Sequence, residues 1–130
     1  MTTARKPSDA RILAIDDEPA NLALVEAVLT REGYRYFEAL TEPRFAAERH
    51  LAFKPDLVLL DLHLPDRDGN WVLRELGASF PDLPVILLTA DALAAQSDWI
   101  SRGAAAVLTK PIDVPALLEA VEQAIMERES

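Results

Sequence analysis

The stretch that decides the fold runs from Arg11 to Pro19 and reads RILAIDDEP. An apolar segment typical of a buried strand leads directly into three acids, Asp16, Asp17 and Glu18. Neighbouring carboxylates repel each other, and the end of a strand beside a core is a poor place to solvate them. The sequence therefore predicts a strand whose end holds two anions side by side.

The same unit, an apolar run followed by a segment with helical spacing, recurs along the chain. After the first run, apolar residues from Leu22 to Leu29 share one helical face, and Gly33 follows as a C-cap. Five such units in 130 residues predict an α/β fold, a doubly wound (βα)5 five-stranded parallel sheet with helices on both faces. The predicted strands are Ile12–Ile15, Tyr34–Phe37, Leu57–Leu60, Val85–Leu88 and Ala105–Leu108.

The later helical segments differ in the clarity of their pattern. The last takes Asp113 as its N-cap, has Pro115 in its first turn, and separates apolar residues from glutamates on opposite sides. Three middle segments have weaker patterns, namely Pro43–Leu51, Asn70–Leu76 and Ala92–Arg102.

Length and composition indicate a single domain. Half of the 130 residues are hydrophobic, which is enough for one core. We expect residues 1–9 to form a flexible N-terminal arm and residues 10–128 to form the folded domain. The chain has no cysteine, so disulfides and thiolate metal sites are excluded, and this suits a reducing compartment.

Hydropathy and net charge argue against two classes of partner, membranes and nucleic acids. No apolar run approaches the roughly 20 residues that span a bilayer, so we expect a cytoplasmic protein with no membrane association. The net charge of −9 disfavours direct binding of nucleic acid, because such binding depends on Lys and Arg neutralising phosphates.

Polar residues end or follow four of the five predicted strands. In a parallel sheet the carboxyl ends of the strands meet at one edge, where binding sites gather. Each residue alone has an ordinary explanation as a turn former, a strand residue or a surface charge, but their joint occurrence favours a site. The residues brought to this edge are Asp16, Asp17, Asp61, Thr89 and Lys110.

Three carboxylates in one cleft repel each other unless a cation offsets their charge. With no cysteine and no histidine cluster, a hard divalent ion is the natural candidate, and Mg²⁺ typically takes one or two carboxylates, several waters and phosphate oxygens. A carboxylate can attack a phosphoryl group, while a lysine and a hydroxyl stabilise the charge on its oxygens. The edge therefore indicates phosphoryl transfer assisted by Mg²⁺.

The segments IDDEP, DLVLLDLHLPDRDG, VILLTA and LTKPID, in this order, resemble the receiver domain of two-component response regulators. The resemblance covers essentially residues 10–128 and implies a flavodoxin-like fold with strand order 2-1-3-4-5. It implies that Asp61 accepts a phosphoryl group from a histidine kinase, a histidine phosphotransfer protein or a small donor such as acetyl phosphate. The chain would then be a two-state signalling phosphoacceptor that assists its own phosphorylation and dephosphorylation, not an enzyme with a separate substrate.

The resemblance also implies the ligands of the metal. Asp17, Asp61 and the backbone carbonyl of His63 would bind Mg²⁺ directly. Asp16 would act mainly through a metal-bound water.

Two residues would contact the phosphoryl oxygens and two would shape the backbone. Thr89 and Lys110 are the implied phosphoryl contacts. The Lys110–Pro111 peptide bond would be cis, and Gly69 would allow the turn of the loop after the third strand.

Four positions near the site bear on the switch and on the lifetime of the phosphorylated state. Val107 stands where many receivers have an aromatic ring that swings inward, and a β-branched side chain offers no such movement. His63 and Asp91 are expected to border the pocket mouth and tune phosphate loss, although His63 is equally well explained as a solvated loop residue. Ala90 is small and should leave the phosphate open to partners and water.

The resemblance implies further partners without identifying them. The downstream target, a protein or an effector domain, is unknown. In this family the fourth helix, fifth strand and fifth helix often form an output or dimer face, which makes a homodimer one option. Trp99 on the fourth helix is either an interface anchor or, the favoured alternative, packed partly against the sheet. Because the last helix runs nearly to Ser130, we expect no effector domain after it, and both a free-standing receiver and a piece of a longer regulator stay open.

The sequence fits three alternatives to the phosphorylation switch less well. A receiver-like interaction module that never accepts phosphate would not need the complete set of site residues. A metal-dependent phosphohydrolase usually places two acids two residues apart on its first strand, whereas Asp16 and Asp17 are adjacent. A flavin site would need a hydroxyl- or glycine-rich loop after the first strand, and this loop is acidic.

Overall fold

Five parallel strands form one sheet in the order β2-β1-β3-β4-β5. The structure is a computed structural model that describes residues 9–61, 67–89, 96–101 and 103–129. The predicted fold class and strand order are confirmed. The strands are β1 Arg11–Ile15, β2 Tyr36–Leu40, β3 Leu57–Asp61, β4 Val85–Thr89 and β5 Ala106–Thr109.

Helices connect the strands and cover both faces of the sheet. A 3-10 turn at Pro43–Phe45 leads into a helix at Ala46–Phe53, so the weakly patterned segment after β2 is helical. None of the helices in the described ranges is both long and apolar enough to cross a lipid bilayer. The helices are α1 Pro19–Arg31, α2 Ala46–Phe53, α3 Arg67–Ser79, α4 Gln96–Ser101 and α5 Val114–Glu129.

The second strand lies later than predicted, at Tyr36–Leu40 instead of Tyr34–Phe37. Gly33, at φ 107°, ends α1, and the Tyr34 N–H donates a hydrogen bond of 3.0 Å to the Leu29 carbonyl. This pairing is the helix-ending motif in which the second residue after the cap bonds back to the last turn. Tyr34 is therefore buried at the end of α1, where it packs against the core. The prediction was wrong because a buried aromatic residue just before an apolar run has the same sequence pattern as the first residue of a strand.

The third helix begins earlier than predicted and includes Gly69. The glycine therefore has helical backbone and is not the turn residue of the loop after β3, so that assignment was wrong. The first turn of α3, residues 67–70, is polar in sequence and has no apolar pattern to distinguish it from a loop. Parts of two predictions lie outside the described residues, namely the start of the segment Ala92–Arg102 and residues 1–8 of the N-terminal arm.

Two core layers sandwich the sheet and hold β1 and β3 at its centre. Alternate residues of these strands face opposite ways, so Leu13 and Leu60 pack with α2 and α3 while Ile12 and Leu59 pack with α1 and α5. Each such side chain is fully buried, and burying a leucine or isoleucine contributes roughly 1.5–3 kcal/mol. The carboxyl ends of the central strands are thus fixed by packing on both faces.

Candidate functional site

Strand register brings Asp16 and Asp61 together. Ile15, the last residue of β1, pairs with Leu60 of β3. The next residue in each case is an aspartate: Asp61 ends β3 and Asp16 immediately follows β1, so the two carboxylates lie at neighbouring strand ends. The Asp16 N–H also donates a hydrogen bond of 3.1 Å to the Leu40 carbonyl of β2, which fixes the backbone just beyond β1.

The same register brings Thr89 and Lys110 to this edge from the other side. Thr89 is the last residue of β4 and pairs with Thr109 of β5. The Lys110 N–H, immediately after β5, donates a hydrogen bond of 2.8 Å to the Thr89 carbonyl. The peptide bond from Lys110 to Pro111 is cis. Four of the five predicted site residues therefore lie at adjacent strand ends, with Thr89 half-buried.

An ion pair occupies the centre of the site. Lys110 Nζ donates to Asp61 Oδ2 over 2.6 Å. The Asp61 side chain is 1% exposed and that of Lys110 is 15% exposed. A charge-assisted hydrogen bond of this length is strong, and removing one partner of such a buried pair is costly. Lys110 therefore places a positive charge directly against the buried Asp61 carboxylate.

Asp16 contacts the same carboxylate and has an unusual pKa. Its side chain is 5% exposed, and its Oδ1 accepts a hydrogen bond of 2.9 Å from the Glu18 N–H. Burial raises the pKa of Asp16 to about 7, assisted by its hydrogen bond to Asp61 and by the charge of Asp61. The Glu18 N–H and the Lys110 ammonium oppose this rise. Lys110 thus only partly offsets the negative charge of the two acids, a condition that favours cation binding.

Asp17 lies beside this pair with its side chain exposed. Within the described ranges, no group of three or more acidic, histidine or cysteine side chains is arranged to enclose a metal. The residues present nevertheless fit Mg²⁺, because this ion takes one or two carboxylates and completes its shell with waters. Two carboxylates in contact and a third next to them along the chain match that oxygen-only preference.

Several predicted site residues lie outside the described part of the chain, namely His63, Ala90 and Asp91. Val107 is described and is buried in the core layer that contains Leu87, its partner on β4. Trp99 packs partly buried against this layer, which matches the favoured alternative for that residue. The position of the usual aromatic switch is thus part of the packed core in this chain.

A cavity of about 170 Å³ adjoins the site, and the sequence analysis missed it. Asp16 and Lys110 line one part of it, while Asn21, Leu24 and Pro111 line the rest with neighbouring apolar residues. Leu24 is 53% exposed. The available signal in the sequence was Leu24 itself, an apolar residue that lies off the buried face of α1.

The chain is similar in sequence to proteins of known family. The family model described as the response regulator receiver domain matches residues 12–122. The response regulator PleD of Caulobacter vibrioides is 41% identical over 109 residues, which cover 80% of this chain and 23% of PleD. The chain spans about a quarter or less of the length of the curated relatives it matches.

Solved receiver structures superpose closely on the whole fold. A CheY-like receiver domain protein from Methanospirillum hungatei has a TM-score of 0.83 at 29% identity, covering 93% of this chain and 97% of that one. The beryllofluoride-activated NtrC4 receiver domain dimer has a TM-score of 0.82 at 28% identity, covering 91% and 98%. The family model covers residues 12–122 of the 130, so the chain belongs to the receiver domain family of two-component response regulators.

Proposed function

We propose that this chain accepts a phosphoryl group on Asp61, in the presence of Mg²⁺, from a histidine kinase or a histidine phosphotransfer protein. Receiver domains are signalling phosphoacceptor domains, and in homologues they interact with histidine kinases and effector domains. The observation that carries the proposal is the 2.6 Å contact between Lys110 Nζ and Asp61 Oδ2 beside a second buried acid. The chain would then act as a two-state switch.

The chemistry of the proposed step requires little from the protein beyond position and charge. A carboxylate oxygen of Asp61 forms a bond to phosphorus while the bond from phosphorus to the donor imidazole nitrogen breaks, and that nitrogen keeps the electron pair. The Lys110 ammonium is a compact charge that lies against Asp61 already. Thr89 accepts a backbone hydrogen bond from the Lys110 N–H. Its side-chain hydroxyl is the proposed donor to a phosphoryl oxygen.

The acids have a second proposed task, which is to hold Mg²⁺. Asp17 and Asp61 would bind the ion with the His63 carbonyl, and Asp16 would bind it through water. When bound, the ion neutralises charge on phosphoryl and carboxylate oxygens. The contact between the buried side chains of Asp16 and Asp61 supports this assignment, because a cation offsets the charge of two acids held together.

Phosphorylation of Asp61 is proposed to change the conformation of the chain by displacing the neighbouring residues Lys110 and Thr89. The phosphoryl group on Asp61 would carry about −1.5 to −2 charges at neutral pH in place of the single charge of the carboxylate, and Lys110 and Thr89 would be drawn towards it. His63, Asp91 and Ala90 are the proposed tuning residues for phosphate loss. Val107 would transmit no ring movement, so any output would depend on displacement of Thr89 and the residues after it.

The direct test is incubation with acetyl phosphate and Mg²⁺, followed by intact mass measurement. We expect the mass of one phosphoryl group to be added, and peptide mapping to place it on Asp61. Asp61→Asn should remove the adduct. The matched control Asp82→Asn, an exposed loop acid, should leave it unchanged. Chelation of Mg²⁺ should abolish labelling of the unmodified chain.

One observation favours the interaction module as a second candidate function. Asp61 is 1% exposed in the structure, so a donor must reach an almost completely buried oxygen. The same experiment separates the two functions, because an interaction module would gain no mass from acetyl phosphate or from a phosphorylated kinase. Such a result on folded protein would rule out the switch.

A further inference from the structure

The free edge of β2 carries backbone groups that the sheet does not use. Strand β2 ends the sheet on one side, and β5 ends it on the other. The Asp16 N–H donates to the Leu40 carbonyl, so Leu40 turns its N–H and C=O towards β1. Because these groups alternate in direction along a strand, those of Phe37 and Ala39 point away from the sheet. No backbone hydrogen bond from another described segment reaches them on that side.

Strand β2 lacks the features that commonly protect a sheet edge. Protected edges carry lysine or proline, or are interrupted by a bulge. The sequence of β2, YFEAL, contains neither residue, and its register with β1 is continuous from Tyr36 to Leu40. Its one charged side chain, Glu38, is hydrogen-bonded to Arg49 of α2. The edge is therefore open over five residues, a length of about 17 Å.

The side chains of β2 leave room for a further strand beside it. Tyr36 is 39% exposed. Ala39 is exposed and projects only one carbon. Phe37 packs partly buried against the core layer that contains residues of α1 and α5. A strand added at this edge would extend the sheet and leave both core layers in place.

An exposed arginine lies just before β2 and another lies shortly after it. The side chain of Arg35 is 62% exposed and that of Arg44 is 73% exposed. The guanidinium of Arg35 lies 5.3 Å from the centroid of the Tyr36 ring. Each arginine pairs with one acid, Asp9 or Glu42. A guanidinium has five N–H donors, so each arginine can also bind a carboxylate from outside the chain.

Charge distinguishes this part of the chain from the rest. Residues 31–54, from the last residue of α1 to the cap of α2, contain five Lys and Arg against four Glu. The remaining residues contain eight Lys and Arg against eighteen Asp and Glu. An acidic segment would therefore be repelled by most of the chain and least by the surface that contains β2.

Register and charge argue against two occupants of this edge. A second copy, related by a two-fold axis, could pair β2 with β2, and the register that overlaps the whole strand pairs Phe37 with Ala39. That register places Glu38 directly opposite Glu38 of the copy, and like charges in that position are destabilising. Residues 1–8 contain two cations and no acid, so they lack the charge that exposed arginines attract.

We propose that the free edge of β2 binds an extended acidic segment of a partner protein as a sixth strand. The outward backbone groups of Phe37 and Ala39 would form main-chain hydrogen bonds with it, as in other cases of strand addition. Arg35 and Arg44 would select the segment by pairing with carboxylates near its two ends. The surface lies on the opposite side of the sheet from β5, so it is separate from the output face implied by the resemblance.

The test uses the unphosphorylated full chain and a labelled synthetic peptide in which valine and threonine alternate between two glutamates at each end. Lysine replaces glutamate in one control peptide. Proline replaces threonine in the other, because proline cannot complete a ladder of hydrogen bonds. Fluorescence anisotropy measures the affinity, and hydrogen exchange followed by NMR measures the protection of single amides. The Glu38 amide is the internal control, because it faces β1 instead of the open edge.

Three variants separate the contributions of charge and backbone. Arg35→Gln with Arg44→Gln removes the flanking charge. Arg31→Gln with Arg74→Gln is the matched control pair, since it removes the same charge from exposed positions on α1 and α3. Ala39→Pro removes an outward N–H and no hydrogen bond to β1. Circular dichroism checks that each variant is folded, and exchange in the unmodified chain decides alone if Ala39→Pro is not.

We expect the glutamate peptide to bind more tightly than either control peptide and to slow exchange at Phe37 and Ala39 but not at Glu38. Loss of both flanking arginines should weaken binding roughly threefold to tenfold, as for two exposed ion pairs. The matched control pair should have little effect, and Ala39→Pro should weaken binding.

Three results would overturn the proposal, namely binding without protection of the Phe37 and Ala39 amides, equal binding of the lysine peptide, and equal weakening by the two arginine pairs. A dimer of the peptide-free chain that Ala39→Pro dissociates would also overturn it, because the edge would then belong to a second copy. Failure of Asp61 to accept phosphate would leave these outcomes unchanged, because the protein is unphosphorylated throughout.

Discussion

Lys110 Nζ lies 2.6 Å from Asp61 Oδ2, although 49 residues separate the two in sequence. The contact depends on three neighbouring strands, because β3, β4 and β5 must pair in register for both residues to reach the same edge. The ion pair is therefore a property of the whole sheet. Because the pair is buried, a substitution that breaks it should lower the free energy of unfolding as well as alter the chemistry of the site.

Replacing Lys110 by glutamine should destabilise the metal-free chain. Asp61 would keep a buried carboxylate without its cation, and breaking such a pair costs on the order of 3 kcal/mol. Urea unfolding should show this loss in Lys110→Gln. The double variant Lys110→Gln with Asp61→Asn should recover most of it, because no buried charge remains.

The surface variant Arg74→Gln is the matched control for Lys110→Gln, since Arg74 is exposed on α3. Its free energy of unfolding should change by less than about 0.5 kcal/mol. An unfolding free energy of Lys110→Gln equal to that of the unmodified chain would contradict a structural role for the ion pair.

Replacing Asp16 by asparagine should stabilise the metal-free chain and remove its response to Mg²⁺. The amide oxygen can still accept the Glu18 N–H, while repulsion with Asp61 and the burial of a second charge disappear. We expect a gain on the order of 1–2 kcal/mol at neutral pH. Thermal melts with and without Mg²⁺ measure both effects, because a ligand of the folded state raises the melting temperature.

The exposed acid Glu26 on α1 provides the control for Asp16→Asn. Glu26→Gln should melt close to the unmodified chain and keep the full Mg²⁺ response. If Asp16→Asn still gained melting temperature from Mg²⁺ as the unmodified chain does, Asp16 would have no part in holding the ion.

The sequence was sufficient to predict where β3 and β4 end, and the reason is physical. Residues 57–60 and 85–88 are apolar without interruption, because their strands are buried on both faces. The polar residue that ends such a run is then placed at the sheet edge by topology alone. Asp61 and Thr89 were predictable for this reason, and Lys110 follows from the same pattern in β5.

Other features depended on contacts that no local pattern records. Tyr34 was assigned to a strand because its burial comes from the end of α1, and Gly69 was assigned to a turn because the first turn of α3 is polar. The exposed side chain of Asp17 beside the buried one of Asp16 follows from how the chain leaves β1. The raised pKa of Asp16 requires the packing around it, which the sequence does not give.

Alanine at Gly33 should destabilise the chain, while alanine at Gly77 should stabilise it. Gly33 has φ 107°, a conformation that strains any residue with a Cβ, and we expect a loss of about 1 kcal/mol. Gly77 lies inside α3 with open space around its Cα, so alanine should gain roughly 0.5–1 kcal/mol in helix propensity. Urea unfolding of both variants is the measurement. Equal effects of the two substitutions would contradict the role of Gly33 in ending α1.

The free energy of unfolding should decrease as the pH is lowered below about 6.5, and part of this decrease should depend on His50. Its ring stacks on Phe80 with centroids 3.5 Å apart, and among the described residues its buried Nδ1 has no hydrogen-bond partner. Burial lowers the pKa of His50 from its usual 6.5, and the charge of Arg128 lowers it further. Between the two pKa values the unfolded chain binds more protons than the folded one, so stability is complete above about pH 6.5 and declines as the pH falls below it. His50→Phe keeps an aromatic ring and cannot titrate, so urea unfolding across this range should show a weaker decline. Parallel declines in the two proteins would mean that His50 does not contribute.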